Sequence, residues 1–153
     1  MSLVNIDVNK VQYLENYIRV SHTATGSYGN YVVDENDWIN FPTPSEMPYT
    51  LNDVDKDPFT DLTGFTHRNR VRIDVLTFDL NYNYLNDDTQ AYVLQVIEPE
   101  WFYVEIINPK TKSKQIKKVY ASSKKTNVRV VRKDENDNYY NDYIDFQVTL
   151  VEE

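Results

Sequence analysis

The sequence predicts a mainly β fold, a β-sandwich or partly closed barrel of mostly antiparallel strands, with one α-helix at about 87–97 packed on it. Three observations carry this expectation. Apolar and polar residues alternate over several short windows, the period of a half-buried strand. Thirteen tyrosines supply most of an aromatic share of 14%, and Tyr favours strands and half-buried surfaces where its ring packs and its hydroxyl stays hydrated. One window alone carries a cap, an acidic first turn and a proline stop, the marks of a helix.

The elements follow in chain order. Val4, Ile6 and Val8 alternate, which predicts a short strand. Residues 11–20 fit neither the strand nor the helix period well. Residues 26–30 hold Gly26 and Gly29 and read as a turn, and 34–37 form a polar break. Pro42, Pro44 and Pro48 keep 41–48 out of helix and out of a central strand. Tyr49 and Leu51 begin a short strand. Residues 53–66 carry four Asp, Pro58 and Gly64, so they read as a surface loop or extended hairpin. From about His67, Val71, Ile73 and Val75 share one face, and then Leu76, Phe78 and Leu80 take over. That one-residue slip predicts a β-bulge near Val75 and Leu76.

Asn86 is placed to cap the helix, with Asp87 and Asp88 at its positive end and Val93, Leu94, Val96 and Ile97 as its apolar stripe. Pro99 blocks continuation. Residues 101–107 are apolar on both faces, as a central strand requires. Asn108, Pro109 and Lys110 turn the chain, and 115–121 return it. Val128, Val130 and Val131 mark another strand, and 134–138 a loop tip. In 143–151, Ile144, Phe146, Val148 and Leu150 face inward. The total is six to eight strands in a single domain of 153 residues. Residues 1–40 form an N-terminal extension and 41–153 the β-rich core.

Composition narrows the function. There is no Cys, so thiolate chemistry, disulfides and thiolate metal sites are excluded. No apolar run approaches the roughly 20 residues that span a bilayer, so no membrane insertion is expected. Residues 1–10 lack the pattern of a signal peptide, which points to the cytosol of the producing cell. The net charge of −8 disfavours nonspecific nucleic-acid binding. The charge is uneven: residues 1–66 hold 3 basic and 10 acidic side chains, residues 67–153 hold 13 and 14.

Catalytic residues, cofactors and metals are not expected. His22 and His67 stand apart and in no ligand spacing, and both read as surface or edge-strand histidines. The acidic runs 53–57 and 134–138 hold oxygen ligands suitable for Ca²⁺, but Asp and Asn populate turns for backbone reasons alone, and 134–138 lacks the glycine of an EF-hand loop. The stretch 110–133 contains eight Lys and two Arg. A solvated strand face ranks first for it, an assembly surface including Lys117 and Lys118 second, and nucleic acid third. On alternate positions Arg68, Arg70 and Arg72 share a face, which suits carboxylates across a strand or an interface. Here Arg68, Asn69 and Arg70, which follow His67, are expected to disfavour its protonation and to compete for any carboxylate.

From about Phe41 onward the order of features resembles a family of small siphophage and prophage tail-associated proteins. The matching pieces are Pro42, Thr43, Pro44 and Ser45 before a short strand, and Asn52, Asp53, Val54 and Asp55. Residues 63–72 then lead into the strand 73–80. After the helix come Trp101, Phe102, Tyr103 and Val104, the turn at Asn108, Pro109, Lys110 and Thr111, and residues 119–122. A last strand ends at Leu150, Val151 and Glu152. The resemblance implies a non-enzymatic tail structural or morphogenesis protein, made in the cytoplasm of a bacterial host and then carried in the virion tail. Its implied partners are itself, as a ring oligomer, and other tail proteins. Under it, residues 53–66 are an intersubunit arm, with Asp53, Asp55, Asp57 and Phe59 as contact residues beside Arg68, Arg70 and Arg72. The rival expectation is a binding module, for nucleic acid through 110–133 or for cell-surface glycan through Tyr, Trp38 and Trp101.

Overall fold

The computed structural model describes residues 3–153. Its strands are β1 (Leu14–Ser21), β2 (Ile39–Pro42), β3 (Tyr49–Asp55), β4 (Phe59–Thr60), β5 (Thr66–His67), β6 (Arg70–Leu85), β7 (Phe102–Ile107), β8 (Lys114–Lys133) and β9 (Tyr139–Glu152). The helix α1 (Asp87–Val96) lies between β6 and β7. Seven strands form one antiparallel sheet in the order β2-β1-β7-β8-β9-β6-β3, and β4 with β5 makes a separate two-stranded ribbon.

The fold is mainly β with one helix, as expected. The sheet stays open, with β2 and β3 as its edges, but it is rolled. Residues 43–48 join the two edge strands directly, and on the way Glu46 bridges Asn81 of β6. Inside the roll the Tyr82 hydroxyl of β6 donates to the Pro42 carbonyl of β2 at 2.6 Å, although four strands separate them in sheet order. Burial pushes the Tyr82 phenol well above its ordinary pKa. Proline suits the edge position of β2, where a missing N–H breaks no ladder.

The core lies between this one rolled sheet and α1. Leu76, Phe78, Leu80 and Tyr82 of β6, Phe146, Val148 and Leu150 of β9, and Phe102, Val104 and Ile106 of β7 point inward. Ile18 and Val20 of β1 join them, so the stretch read as an extension supplies a central strand between β2 and β7. Asn86 caps α1 as its sequence predicts, its side chain accepting from Thr89 N–H at 2.8 Å. Val93, Val96 and Ile97 are buried as expected, while Leu94 is only half-buried. Tyr92 takes the remaining inward place and donates to the Asn40 carbonyl at 2.7 Å.

The strand expected at Val4, Ile6 and Val8 is absent. Residues 8–10 form a short 3₁₀ turn, and the segment is strapped along α1 by side chains. Gln95 exchanges two hydrogen bonds with the backbone of Val4, both at 2.8 Å. Asp88 accepts from Asp7 N–H, and Thr89 from Gln12 N–H. Helix side chains thus satisfy backbone groups that a strand would have paired. Met1 and Ser2 lie outside the described residues.

The predicted bulge exists, slightly earlier than expected. Asn52 pairs with Val75 and Val54 with Arg72, so Ile73 and Asp74 oppose the single residue Asp53. Asp74 adopts φ 54°, a left-handed conformation that Asp tolerates better than most residues. A second slip leaves Val71 extra between Arg70 and Arg72. The returns predicted at 115–121 and 128–131 are one continuous strand, β8. In β9 the inward alternation holds from Phe146 onward and breaks at Asp145, another left-handed bulge residue with φ 53°. Ile144 is therefore only half-buried, and Asp142 is the buried residue nearer the tip.

Phe146 is 1% exposed in the middle of this core. Phe146→Ala is expected to destabilise the domain by about 3–5 kcal/mol, read as a lower midpoint in chemical denaturation. An unchanged midpoint would contradict the inward placement of the β9 row.

Candidate functional site

The β6–β9 ladder decides what the rest of the surface looks like. It runs from Thr77 opposite Val151 to Leu85 opposite Tyr143. Before Thr77, β6 continues with β3 alone. Before Tyr143, β9 continues with β8 alone, ending at Lys133 opposite Tyr139. The strands are antiparallel, so the two surplus ribbons leave opposite ends of the sheet. The first arm spans residues 53–74 and is tipped by β4 and β5. The second spans residues 128–143.

Both arms expose apolar side chains. The first shows Val54, Phe59, Leu62, Phe65, Val71 and Ile73; the second shows Val128, Val130, Val131, Tyr139 and Tyr140. Leu62 is fully exposed and Tyr139 is 74% exposed. Scattered exposed apolar residues are ordinary, but rows of them on a protruding ribbon are the mark of a contact surface.

The first arm is a built element. Asp61 organises its tip: its carboxylate accepts from Thr63 N–H at 2.9 Å, Thr63 hydroxyl at 2.6 Å, Phe65 N–H at 3.1 Å and His67 Nε2 at 2.8 Å. Led by the Thr63 hydroxyl and then His67, these bonds hold the Asp61 carboxyl down at about 2. The His67 ring stacks on Phe59 at 4.6 Å. His67 therefore keeps a carboxylate of its own, and Arg68 takes different ones, against the competition the sequence implied.

The expected arginine row is split. Arg68 binds Asp53 and Asp55 at 3.0–3.3 Å, and Arg70 binds Asp53 at 3.3 Å. These pairs cross the hairpin within one chain. Asp53 also accepts from Asp74 N–H at 3.1 Å, satisfying the bulge, and this bond together with the two arginines lowers its pKa. Arg72, displaced by the extra Val71, turns elsewhere: its guanidinium meets the Tyr28 hydroxyl at 3.0 Å and Glu152 at 3.7 Å. Asp57 is exposed in the turn after β3 with φ 52°.

Glu152 is the residue the sequence reading passed over. Its side chain is 1% exposed and faces the core side of β9. It accepts from Leu76 N–H at 2.8 Å, the Tyr28 hydroxyl at 2.9 Å and Lys117 Nζ at 3.3 Å. Lys117 is thus drawn into the end of the roll, whereas Lys118 pairs with Glu153 at 2.9 Å and lies over the Trp101 ring. The one signal for Glu152 was parity, since it continues the inward row Phe146, Val148, Leu150.

Much of the basic stretch is likewise committed. Lys110 meets Asp74, Lys114 meets Glu105, Arg132 meets Asp142 and Lys133 meets Asp137. Among the described residues Lys112, Lys124, Lys125 and Arg129 have no carboxylate within 4 Å. In the loop tip, Asp134 accepts from its own Asn136 and Asn138 N–H groups at 2.8 and 2.9 Å. Trp38 has Arg19 over its ring at 4.5 Å, and Trp101 meets the Tyr120 edge at 5.2 Å. Among the described residues no group of three His, Asp or Glu could hold a metal ion, and no helix is long and apolar enough to cross a membrane.

The rolled sheet with two opposed ribbons is the fold of a member of a family of unknown function, DUF6711, to which this chain belongs. The family model matches residues 27–153, a span that includes both arms and all of the Tyr28, Arg72, Lys117 and Glu152 cluster but not β1. No curated protein and no solved structure matches the chain.

Two outcomes follow for these sites. Glu152→Gln removes the charge that Arg72 and Lys117 share. It is expected to destabilise the domain by about 3 kcal/mol, the low end for breaking a buried pair because both partners keep some water; denaturant unfolding measures it. Asp61 has a depressed folded pKa, so its contribution is present above its ordinary 3.8 and lost as pH falls toward about 2. Amide exchange at Thr63 and Phe65 should quicken relative to core amides through that window. Asp61→Ala should bring the same loosening at neutral pH.

Proposed function

We propose that this chain is a non-enzymatic structural or morphogenesis protein of a phage or prophage tail, working through self-assembly and contacts with other tail proteins. One observation carries the reading: two ribbons leave opposite ends of one sheet, each displaying apolar side chains in water. Such ribbons reward burial against a partner. The ordered resemblance from Phe41 onward supplies the tail context. The internal pairing of Arg68, Arg70, Lys117 and Lys118 speaks for protein contacts over phosphate binding, because those cations already hold carboxylates. On this reading the protein is made in the host cytoplasm and ends in the virion tail.

The test is particle composition. Tails purified from a producing strain should contain the chain in fixed ratio to the other tail proteins, and deletion of its gene should stop tail assembly. Absence of the chain from tails, with normal tails in the deletion strain, would overturn the reading.

A further inference from the structure

We propose that the apolar tip of one copy's first arm seats in an open cavity of a second copy, between α1, β2 and the N-terminal segment. The inference rests on the assembly reading above and names the partner and the contact. The tip is a rigid knob. Leu62 is fully exposed, Phe65 is 71% exposed and Phe59 60%. Asp61 ties the turn between them to Thr63, Phe65 and His67, and the His67 ring stacks on Phe59. Three large apolar side chains are thus held in water by a turn that is already ordered. Seating them costs little further ordering and removes their surface from water.

The cavity suits such a knob. It holds about 610 Å³, and Val8, Leu14, Trp38, Ile39 and Tyr92 supply its apolar walls. Three polar side chains around it already have partners. His22 Nε2 meets the Val96 carbonyl at 2.7 Å, the Tyr92 hydroxyl donates to the Asn40 carbonyl at 2.7 Å, and the Thr23 hydroxyl donates to Asp37 at 3.3 Å. An apolar side chain can enter without leaving any of these groups unpaired. Within one copy, the tip precedes the first residue of β6 and α1 follows its last. The 16 residues of β6 span about 50 Å, so a tip does not reach its own cavity. The two surfaces differ, which makes the contact heterologous and able to propagate from copy to copy.

Charge favours a second copy as the occupant. Residues 34–37, which give Asn36 and Asp37 to the cavity, hold three acidic and no basic side chains. Residues 56–70, which form the knob, hold three basic and two acidic. Arg19 takes Glu35. Among the described residues Asp34 and Asp37 have no cation within 4 Å, and Lys56 has no carboxylate. Opposite signs across the contact set how the tip approaches. The whole chain carries −8, but residues 53–74 hold five acidic and four basic side chains, and residues 128–143 hold four and three. Each arm is therefore near neutral. Most of the repulsion between copies sits elsewhere, at distances that salt screens.

The experiment uses variants of the full chain. Leu62→Ser with Phe65→Ser blunts the knob, and Val8→Lys with Asp37→Lys spoils the cavity. The replaced side chains are exposed, and circular dichroism should confirm intact folding. In sedimentation velocity the wild type should grow in mass with concentration. Each variant alone should sediment at the single-chain mass of 18.1 kDa. An equimolar mixture should give a species of twice that mass and none larger, because one good knob and one good cavity remain. The chain has no Cys, so a second measurement locates the contact whatever those variants do. Under mild oxidation, a mixture of Leu62→Cys and Asn36→Cys chains should form disulfide-linked dimers faster than either chain alone. Growth of either double variant alone, a mixture that stays single-chain, or cysteine chains that link no faster when mixed would overturn the contact while leaving the assembly reading standing. A wild type that stays single-chain at every concentration would overturn it too. If that wild type instead pellets with phosphatidylglycerol vesicles through Leu62 and Phe65, the tip belongs to a lipid surface. Particle composition then decides the assembly reading separately.

Discussion

The structure depends on one ladder, the pairing of β6 with β9 beneath α1. Leu76, Phe78, Leu80 and Tyr82 on one strand and Phe146, Val148 and Leu150 on the other lock its register. A slip by one residue would move both rows to water. With that register set, the lengths of the two strands leave surplus at opposite ends. The arms are what remains of two long strands after the core has taken the segment it can cover. The roll of the sheet follows too, since Tyr82 can reach Pro42 only if the far edge curls back over the same core.

Aspartates finish the backbone work that the ladder leaves undone. Asp74 and Asp145 occupy left-handed bulge positions. Asp53 satisfies the bulge N–H, Asp61 satisfies the tip of the first arm, and Asp134 satisfies the tip of the second. An acidic loop in the sequence is therefore, in the fold, a set of short acceptors placed where the chain bends. Glu152 does the same at the end of the roll, where a carboxylate gathers a backbone N–H, a phenol and two cations into a seal over the last inward position.

This use of charge connects architecture to function. A net charge of −8 opposes close approach of copies at long range. The arms are near neutral and apolar, and their ion pairs are internal. Such a surface contributes little to long-range attraction and much to burial once aligned. On the proposed assembly reading, that combination suits a component that stays separate until it is placed, and the net charge disfavours nonspecific binding to phosphate polymers.

The sequence by itself determined the local elements. Period-two alternation revealed β6 and the distal half of β9, a run apolar on both faces revealed β7, and Asn86, the acidic first turn and Pro99 marked α1 to within a residue. The slip in parity announced a bulge, because side-chain parity is a property of neighbouring residues. Tertiary structure alone decided the rest. The Val4, Ile6 and Val8 alternation was overruled because helix side chains, far away in sequence, satisfied that backbone first. The arginine row was divided because a bulge turns Arg72 toward Glu152, eighty residues on. Burial parity is written along the chain, whereas the partner that meets a hydrogen bond or a charge is chosen by which strands lie side by side, and the chain does not carry that choice in any local pattern.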